Sequence, residues 1–189
     1  MAEDDRARWD RTFREGGHAD IGPPDWLAEL DAELPRAGRA LDVASGAGRL
    51  ALFWAARGLE THAVDISLEG LRRARDGASR AGLELKTHVL DLEWQTLPEG
   101  PYAAISCFHY LQRDLFPKLA TLLAPGGELA CEIATVRNLE RNPKPSRRFL
   151  LEPNELLRLC APLEIVCYRE GWQADRCAAR VLARRPFPA

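Results

Sequence analysis

From Ala40 onward, short apolar runs alternate with longer stretches of helical period. This alternation marks a parallel sheet whose strands are joined by crossover helices. The runs that read as strands are 40–43, 60–64, 84–89, 103–107, 129–133, 163–169 and 178–183. Between them, Leu50, Phe53 and Trp54 share one helical face, as do Leu68, Leu71 and Ala74 or Arg75, and later Leu115, Leu119 and Leu122 or Leu123. Gly58, Gly82 and Pro125-Gly126-Gly127 are breakers between these segments, and Ser67 fits the N-cap of the second helix. Only 170–177 separates the last two runs, too little for a crossover, so they are expected to form an antiparallel hairpin at one end of the sheet. The predicted fold is α/β, a seven-stranded, mostly parallel sheet with helices on both faces. Residues 1–36 read as a helical preface or lid, with a helix start at Pro23-Pro24-Asp25, and 37–189 as the main body of a single domain.

Composition narrows the function. With 189 residues and 46% hydrophobic content, the chain can bury one sizeable core. Its 26 Lys and Arg against 28 Asp and Glu give a net charge of −2, so no overall basic field draws it to nucleic acid or to an anionic membrane. No apolar run approaches a membrane span and the start lacks a signal-peptide pattern, so a cytoplasmic location is expected. The 5 cysteines include no Cys-x-x-Cys pair and suit reduced thiols, and the 4 histidines are scattered, so no metal site is expected.

In an open parallel sheet, ligands bind beyond the carboxyl ends of the strands. After the first run comes Ser45-Gly46-Ala47-Gly48, where missing side chains let a ligand approach the backbone and the next helix offers free N–H donors. A plain tight turn would need the same glycines. Asp65 ends the second run, where a carboxylate can accept both hydroxyls of a ribose diol, although an ordinary acid before a helix start looks identical. Asp91-Leu92 follows the third run and can pair with an adenine edge through the Asp91 carboxylate and the Leu92 N–H. The three together outline an amino-acid pocket, a ribose pocket and an adenine pocket in a row.

That combination resembles the class I methyltransferases, and Asp42-Val43-Ala44-Ser45-Gly46-Ala47-Gly48 is similar to their Asp-Leu-Gly-Cys-Gly-x-Gly motif, with Ala44 and Ser45 in place of Gly and Cys. Trp9-Asp10-Arg11, Cys107-Phe108-His109-Tyr110-Leu111, Leu123-Ala124-Pro125-Gly126-Gly127 and 149–156 are similar to segments of small bacterial tellurite-resistance-type methyltransferases. The resemblance implies a Rossmann-like fold and S-adenosyl-L-methionine as cofactor. It implies cofactor contacts from Trp9, Arg14, Asp42, Ala44, Ser45, Gly46, Gly48, Asp65, Ile66, Asp91, Leu92, Cys107 and Phe108, with Trp9 and Arg14 folding over the methionine end.

A sulfonium methyl is already activated, so the protein mainly has to align a nucleophile behind it. A small acceptor that is a soft anion, such as a thiolate or a chalcogen oxyanion, needs no general base, which fits the lack of a clear catalytic dyad. His109, Tyr110 and Arg113, just beyond the fourth run, are the candidate catalytic residues, each with a structural alternative as loop, core or surface residue. Arg137, Arg141, Lys144, Arg147 and Arg148 read as a solvated loop, or else as a lid that captures an anionic acceptor. Cys107-Phe108-His109-Tyr110 is not the Asn-Pro-Pro-Tyr type that holds a flipped base, which argues against nucleic-acid methylation. Two rivals stand beside methyl transfer: an NAD-dependent oxidoreductase, because Gly46-x-Gly48-x-x-Ala51 fits the dinucleotide fingerprint, and a non-catalytic S-adenosylmethionine-binding protein. Monomer and homodimer are both compatible with the sequence.

Overall fold

The computed structural model describes residues 2–17 and 22–188. A charged helix, α1 (Ala2–Arg14), and a short one, α2 (Asp25–Ala28), precede β1 (Arg39–Val43), α3 (Arg49–Ala56), β2 (Glu60–Asp65), α4 (Leu68–Arg80) and β3 (Lys86–Val89). The second half runs β4 (Tyr102–Phe108), α5 (Phe116–Leu122), β5 (Leu123–Ala134), α6 (Glu155–Leu159), β6 (Glu164–Gln173) and β7 (Arg176–Arg184). The seven strands form one sheet in the order β3-β2-β1-β4-β5-β7-β6. Pairing is parallel from β3 to β5, and β7 runs antiparallel to both β5 and β6. Every predicted run is a strand, and the last two pair as a hairpin. The second arm of that hairpin lies inside the sheet, between β5 and β6.

Strand alternation divides the core in two. Leu41 and Val43 of β1, Ile105 and Cys107 of β4, and Leu129, Cys131 and Ile133 of β5 share one cluster with Leu119 of α5 and Leu156 of α6. On the other face the sheet presents Ala40, Ala104 and Ala130, and those small side chains leave room for Trp26, Leu27, Leu34 and Trp54. The preface around α2 is thus part of the main core. Burying each of these large side chains contributes about 1.5–3 kcal/mol.

Several expectations need correction. In α4 the buried stripe is Leu71, Ala74 and Ala78, while Leu68 is 39% exposed and Arg75 faces solvent. Ser67 caps the helix through its hydroxyl, as expected, so Leu68 is the first helical residue and looks outward. β3 starts at Lys86 rather than 84. β5 starts at Leu123 and runs through Pro125-Gly126-Gly127, where the sequence reading put a break. Gly126 has φ +75, and a Cβ at Gly127 would stand 2.6 Å from the Tyr102 carbonyl, so these glycines permit close pairing with β4. The β3 to β4 connection carries turns and no helix, which leaves one fewer crossover helix than regular alternation implies. Within the helical preface the sequence marks a helix start only at Pro23-Pro24-Asp25, and α1 has no boundary signal of its own.

Candidate cofactor and acceptor site

Parallel register sets the residues after β1, β2, β3 and β4 along one edge of the sheet. In the turn after β1, Ala44, Gly46 and Gly48 have φ of 54, 52 and 82°, all left-handed. Glycine adopts that conformation without strain, and Ala44 holds it at a cost of about 1–2 kcal/mol. A Cβ on Gly48 would stand 2.6 Å from the Ala74 Cβ, so α3 and α4 pack through this glycine.

Gly48 is the N-cap of α3 and has no side chain to serve its first turn. Asp42 does so from the strand below: Oδ2 accepts the Ala51 N–H at 2.9 Å and Oδ1 accepts the Ser106 hydroxyl at 2.6 Å. Trp54 Nε1 donates to the same hydroxyl at 3.0 Å. Asp42 therefore sits beneath the loop and shapes it from within. Burial pushes its carboxyl up to about 7, against the pull of the Ser106 and Ala51 hydrogen bonds.

Asp65, at the end of β2, accepts the Gly46 N–H at 2.7 Å through Oδ2 and the Ser67 N–H at 2.8 Å through Oδ1. Burial raises its pKa, offset by hydrogen bonds from Ser67, Gly46 and Ile66. A carboxylate has about four lone-pair sites, so with three backbone N–H groups on it about one remains for a ribose hydroxyl. Ser45 Oγ, in the glycine turn, is buried and has no hydrogen-bond partner among the described residues. A buried hydroxyl left unpaired costs about 1–3 kcal/mol, and a ligand amine or carboxylate seated on the turn would satisfy it. The residues present therefore fit S-adenosylmethionine.

Asp91 and Leu92 lie in the turn after β3. The Asp91 carboxylate accepts the Glu93 N–H at 3.0 Å, and the Leu92 carbonyl accepts Gln112 Nε2 at 3.2 Å. Gln112 in turn accepts the Tyr110 hydroxyl at 2.7 Å, which ties this loop to the end of β4. Tyr110 is half-buried with its pKa raised by burial, and it braces the two loops.

α1 lies over the glycine turn, and the residue it inserts there is Phe13. A Cβ on Gly46 would stand 2.8 Å from the Phe13 ring. Trp9 stacks on Phe13 with centroids 6.0 Å apart, and Arg14 is 3.7 Å from Glu69 on α4.

The far end of the edge is assembled from distant residues. His109 follows β4 with φ 59°, its N–H donates to the Glu132 carbonyl at 2.7 Å, and its exposed ring lies 3.1–3.2 Å from Arg176 Nη1 on β7. Among the described residues no carboxylate pairs with Arg176. Glu132 on β5 is buried and accepts Trp26 Nε1 at 2.7 Å and Arg180 Nε at 3.1 Å. Phe108 stacks on Trp26, and Cys107 turns to the other face, its thiol 3.6 Å from the Tyr110 carbonyl. Arg113 is a strut: it holds both Glu155 oxygens, at 2.6 and 3.0 Å, and the Arg148 and Leu150 carbonyls. The basic stretch is also largely engaged, with Arg147 on Glu152, Arg137 on Glu140, and Arg141 and Arg148 over the rings of Trp172 and Phe149. Sequence reasoning missed Trp26, Glu132, Arg176 and Arg180. Glu132 and Arg180 stand as charges within otherwise apolar strands, a mark that does not say what they meet, and Trp26 and Arg176 carry no signal of their own.

Two open hollows of about 500 and 380 Å³ lie at the opposite end of the strands, around Glu84 and Leu85, away from this chemistry. No group of three or more metal-ligating side chains occurs among the described residues, and no helix there is long and apolar enough to cross a membrane.

Strand order and the glycine turn give the chain the fold of the class I methyltransferases. Residues 40–127 match the family model described as "Methyltransferase domain". It is 37% identical over 108 residues to ribosomal protein L11 methyltransferase of Bordetella parapertussis, covering 54% of this chain and 33% of that protein. It is 35% identical over 98 residues to malonyl-[acyl-carrier protein] O-methyltransferase of Salmonella typhimurium, covering 48% and 36%. The chain spans about a third of the length of these curated relatives. Among solved structures, TehB from Haemophilus influenzae superposes with a TM-score of 0.72 at 19% identity, over 94% of this chain and 67% of that one.

Proposed function

We propose that the protein transfers a methyl group from S-adenosyl-L-methionine to a small anionic acceptor, a thiol reacting as its thiolate or a chalcogen oxyanion, by direct in-line displacement that releases S-adenosylhomocysteine. The observation that carries the cofactor half is the row formed by the unpaired Ser45 hydroxyl, Asp65 and Asp91-Leu92 along one sheet edge. When bound, the cofactor supplies an activated methyl. The residues of the chain bind, orient and exclude water. Support for an anionic acceptor is the Arg176 guanidinium beside His109, which pairs with no carboxylate among the described residues. In this reading Arg176 holds the acceptor's negative charge and His109 lies against the acceptor, while Tyr110 and Arg113 brace the surrounding loops. A soft anion needs no deprotonation, so orientation dominates the rate.

A second reading is a protein acceptor, favoured by the relative named for ribosomal protein L11. Calorimetry with S-adenosylhomocysteine and with NAD tests the cofactor: binding of NAD alone would overturn methyl transfer. Asp65→Ala should weaken S-adenosylhomocysteine by about 1.5–3 kcal/mol, the range for charged hydrogen bonds, and an unchanged Kd would reject the ribose role. Turnover on thiol, selenite and tellurite, measured against purified ribosomal protein L11, then decides the acceptor class.

A further inference from the structure

The geometry points to Asp10 as a positioning residue for the cofactor acid Asp65, acting through Ser67, so that docking of α1 and occupation of the ribose pocket are linked. The inference rests on the reading of Asp65 as the ribose acid.

Asp10 reaches from α1 to the start of α4. Its Oδ1 accepts the Ser67 hydroxyl at 2.6 Å and the Glu69 N–H at 3.0 Å. With its single proton given to Asp10, the Ser67 oxygen is left to accept the Gly70 N–H at 3.0 Å. The Ser67 N–H meanwhile donates to Asp65 Oδ1, and the other Asp65 oxygen takes Gly46 N–H. One serine thus fixes the lid carboxylate, the helix start and the cofactor acid together. Although burial acts against its charge, the bonds from Ser67 and Glu69 hold the Asp10 carboxyl below its usual range. The charge of Asp10 adds to burial in raising Asp65.

Packing makes the joint stiff. A Cβ on Gly70 would stand 3.0 Å from both the Phe13 ring and the Gly46 carbonyl, so α1, α4 and the glycine turn meet in one place. Arg73 Nη1 fastens the end of α1, reaching the Phe13 carbonyl at 2.8 Å and the Gly17 carbonyl at 3.2 Å. A ligand that needs Asp65 in this orientation favours the docked α1, and by reciprocity a docked α1 favours the ligand.

The test uses the full chain and calorimetry with S-adenosylhomocysteine and its 2′-deoxy and 3′-deoxy analogues. Asp10→Ala and Ser67→Ala should each weaken S-adenosylhomocysteine about tenfold, by analogy with the loss of a helix cap. The same variants should shrink the penalty for removing a ribose hydroxyl, because the acid that reads the ribose is no longer held. Asp10→Asn still offers an oxygen to Ser67 and Glu69 and should stay within about twofold of the parent. In the parent protein, S-adenosylhomocysteine should slow amide exchange in α1. If Asp10→Ala keeps the parent's ratio between S-adenosylhomocysteine and the deoxy analogues, whether overall affinity holds or falls, the relay is wrong. A parent protein that binds no S-adenosylhomocysteine would overturn the cofactor reading itself, and the relay with it.

Discussion

The two halves of the sheet's carboxyl edge are built on different plans. Over β1, β2 and β3 the candidate site is mostly local, with Ala44, Ser45, Gly46 and Gly48 in one turn and Asp65 and Asp91 each ending or following its own strand. Over β4, β5 and β7 it is a long-range assembly of Trp26, His109, Glu132, Arg176 and Arg180, joined by side-chain hydrogen bonds across the sheet. The local half depends on backbone conformation and the absence of side chains. The assembled half depends on charge pairing inside a core. A cofactor common to a class suits the first plan, and an acceptor that differs among relatives suits the second.

The largest effect should come from breaking the local half. Gly48→Val forces a β-branched residue to a φ of 82° and drives its Cβ into Ala74, so stability should fall by about 4 kcal/mol, combining backbone strain and overpacking, as measured by urea unfolding. A loss under about 1 kcal/mol would show that the turn can rearrange. In the assembled half, Glu132→Ala strands the buried Arg180 guanidinium and the Trp26 N–H and should cost about 3 kcal/mol. Replacing Glu132 and Arg180 together by Gln and Leu should recover part of that loss, and a purely additive result would mean the pair is not the hub.

A pH profile sharpens the comparison further. Asp42 has a folded pKa of about 7 against 3.8 for the free group, so the native state holds a proton that the unfolded chain gives up. Its contribution is fully present below pH 3.8 and is lost as pH rises to about 7. The Tm advantage of the parent over Asp42→Asn should therefore shrink from pH 4 to pH 7, and a gap that widens would contradict the assignment. The smallest effect concerns the two basic groups: Arg176→Glu should raise KM for an anionic acceptor with cofactor affinity unchanged. Arg147→Glu, which breaks only an exposed pair with Glu152, should change stability by no more than about 1 kcal/mol and leave KM alone. The opposite ranking would return acceptor capture to the basic stretch.

The sequence was most readable where structure depends on near neighbours. All seven strands, the Ser67 cap and the glycine turn follow from periodicity and breaker chemistry, since each is decided within a few residues. The start of β5 was misread because Pro125-Gly126-Gly127 looks like a stop, whereas Gly127 is required by the approach of the Tyr102 carbonyl from another strand. Asp42 belongs to a recognisable motif, but its partners Ala51 and Ser106 show that it caps α3 from below. Arg176 and Glu132 carried no usable signal, because their meeting with His109 and Trp26 depends on the placement of β7. The bounds of α1 within the helical preface were not legible because its one buried anchor among the described side chains, Phe13, makes no periodic stripe.

The interior position of β7 bears on how the chain comes to be folded during synthesis. β6 emerges from the ribosome before the strand that must separate it from β5, so until Arg176–Arg184 is made β6 has no native partner and β5, paired with β4 alone, presents an open edge. An unpaired edge rich in Leu, Ile and Cys is a template for association with other nascent chains. Half of the sheet must therefore stay soluble until the strand that completes it has been translated.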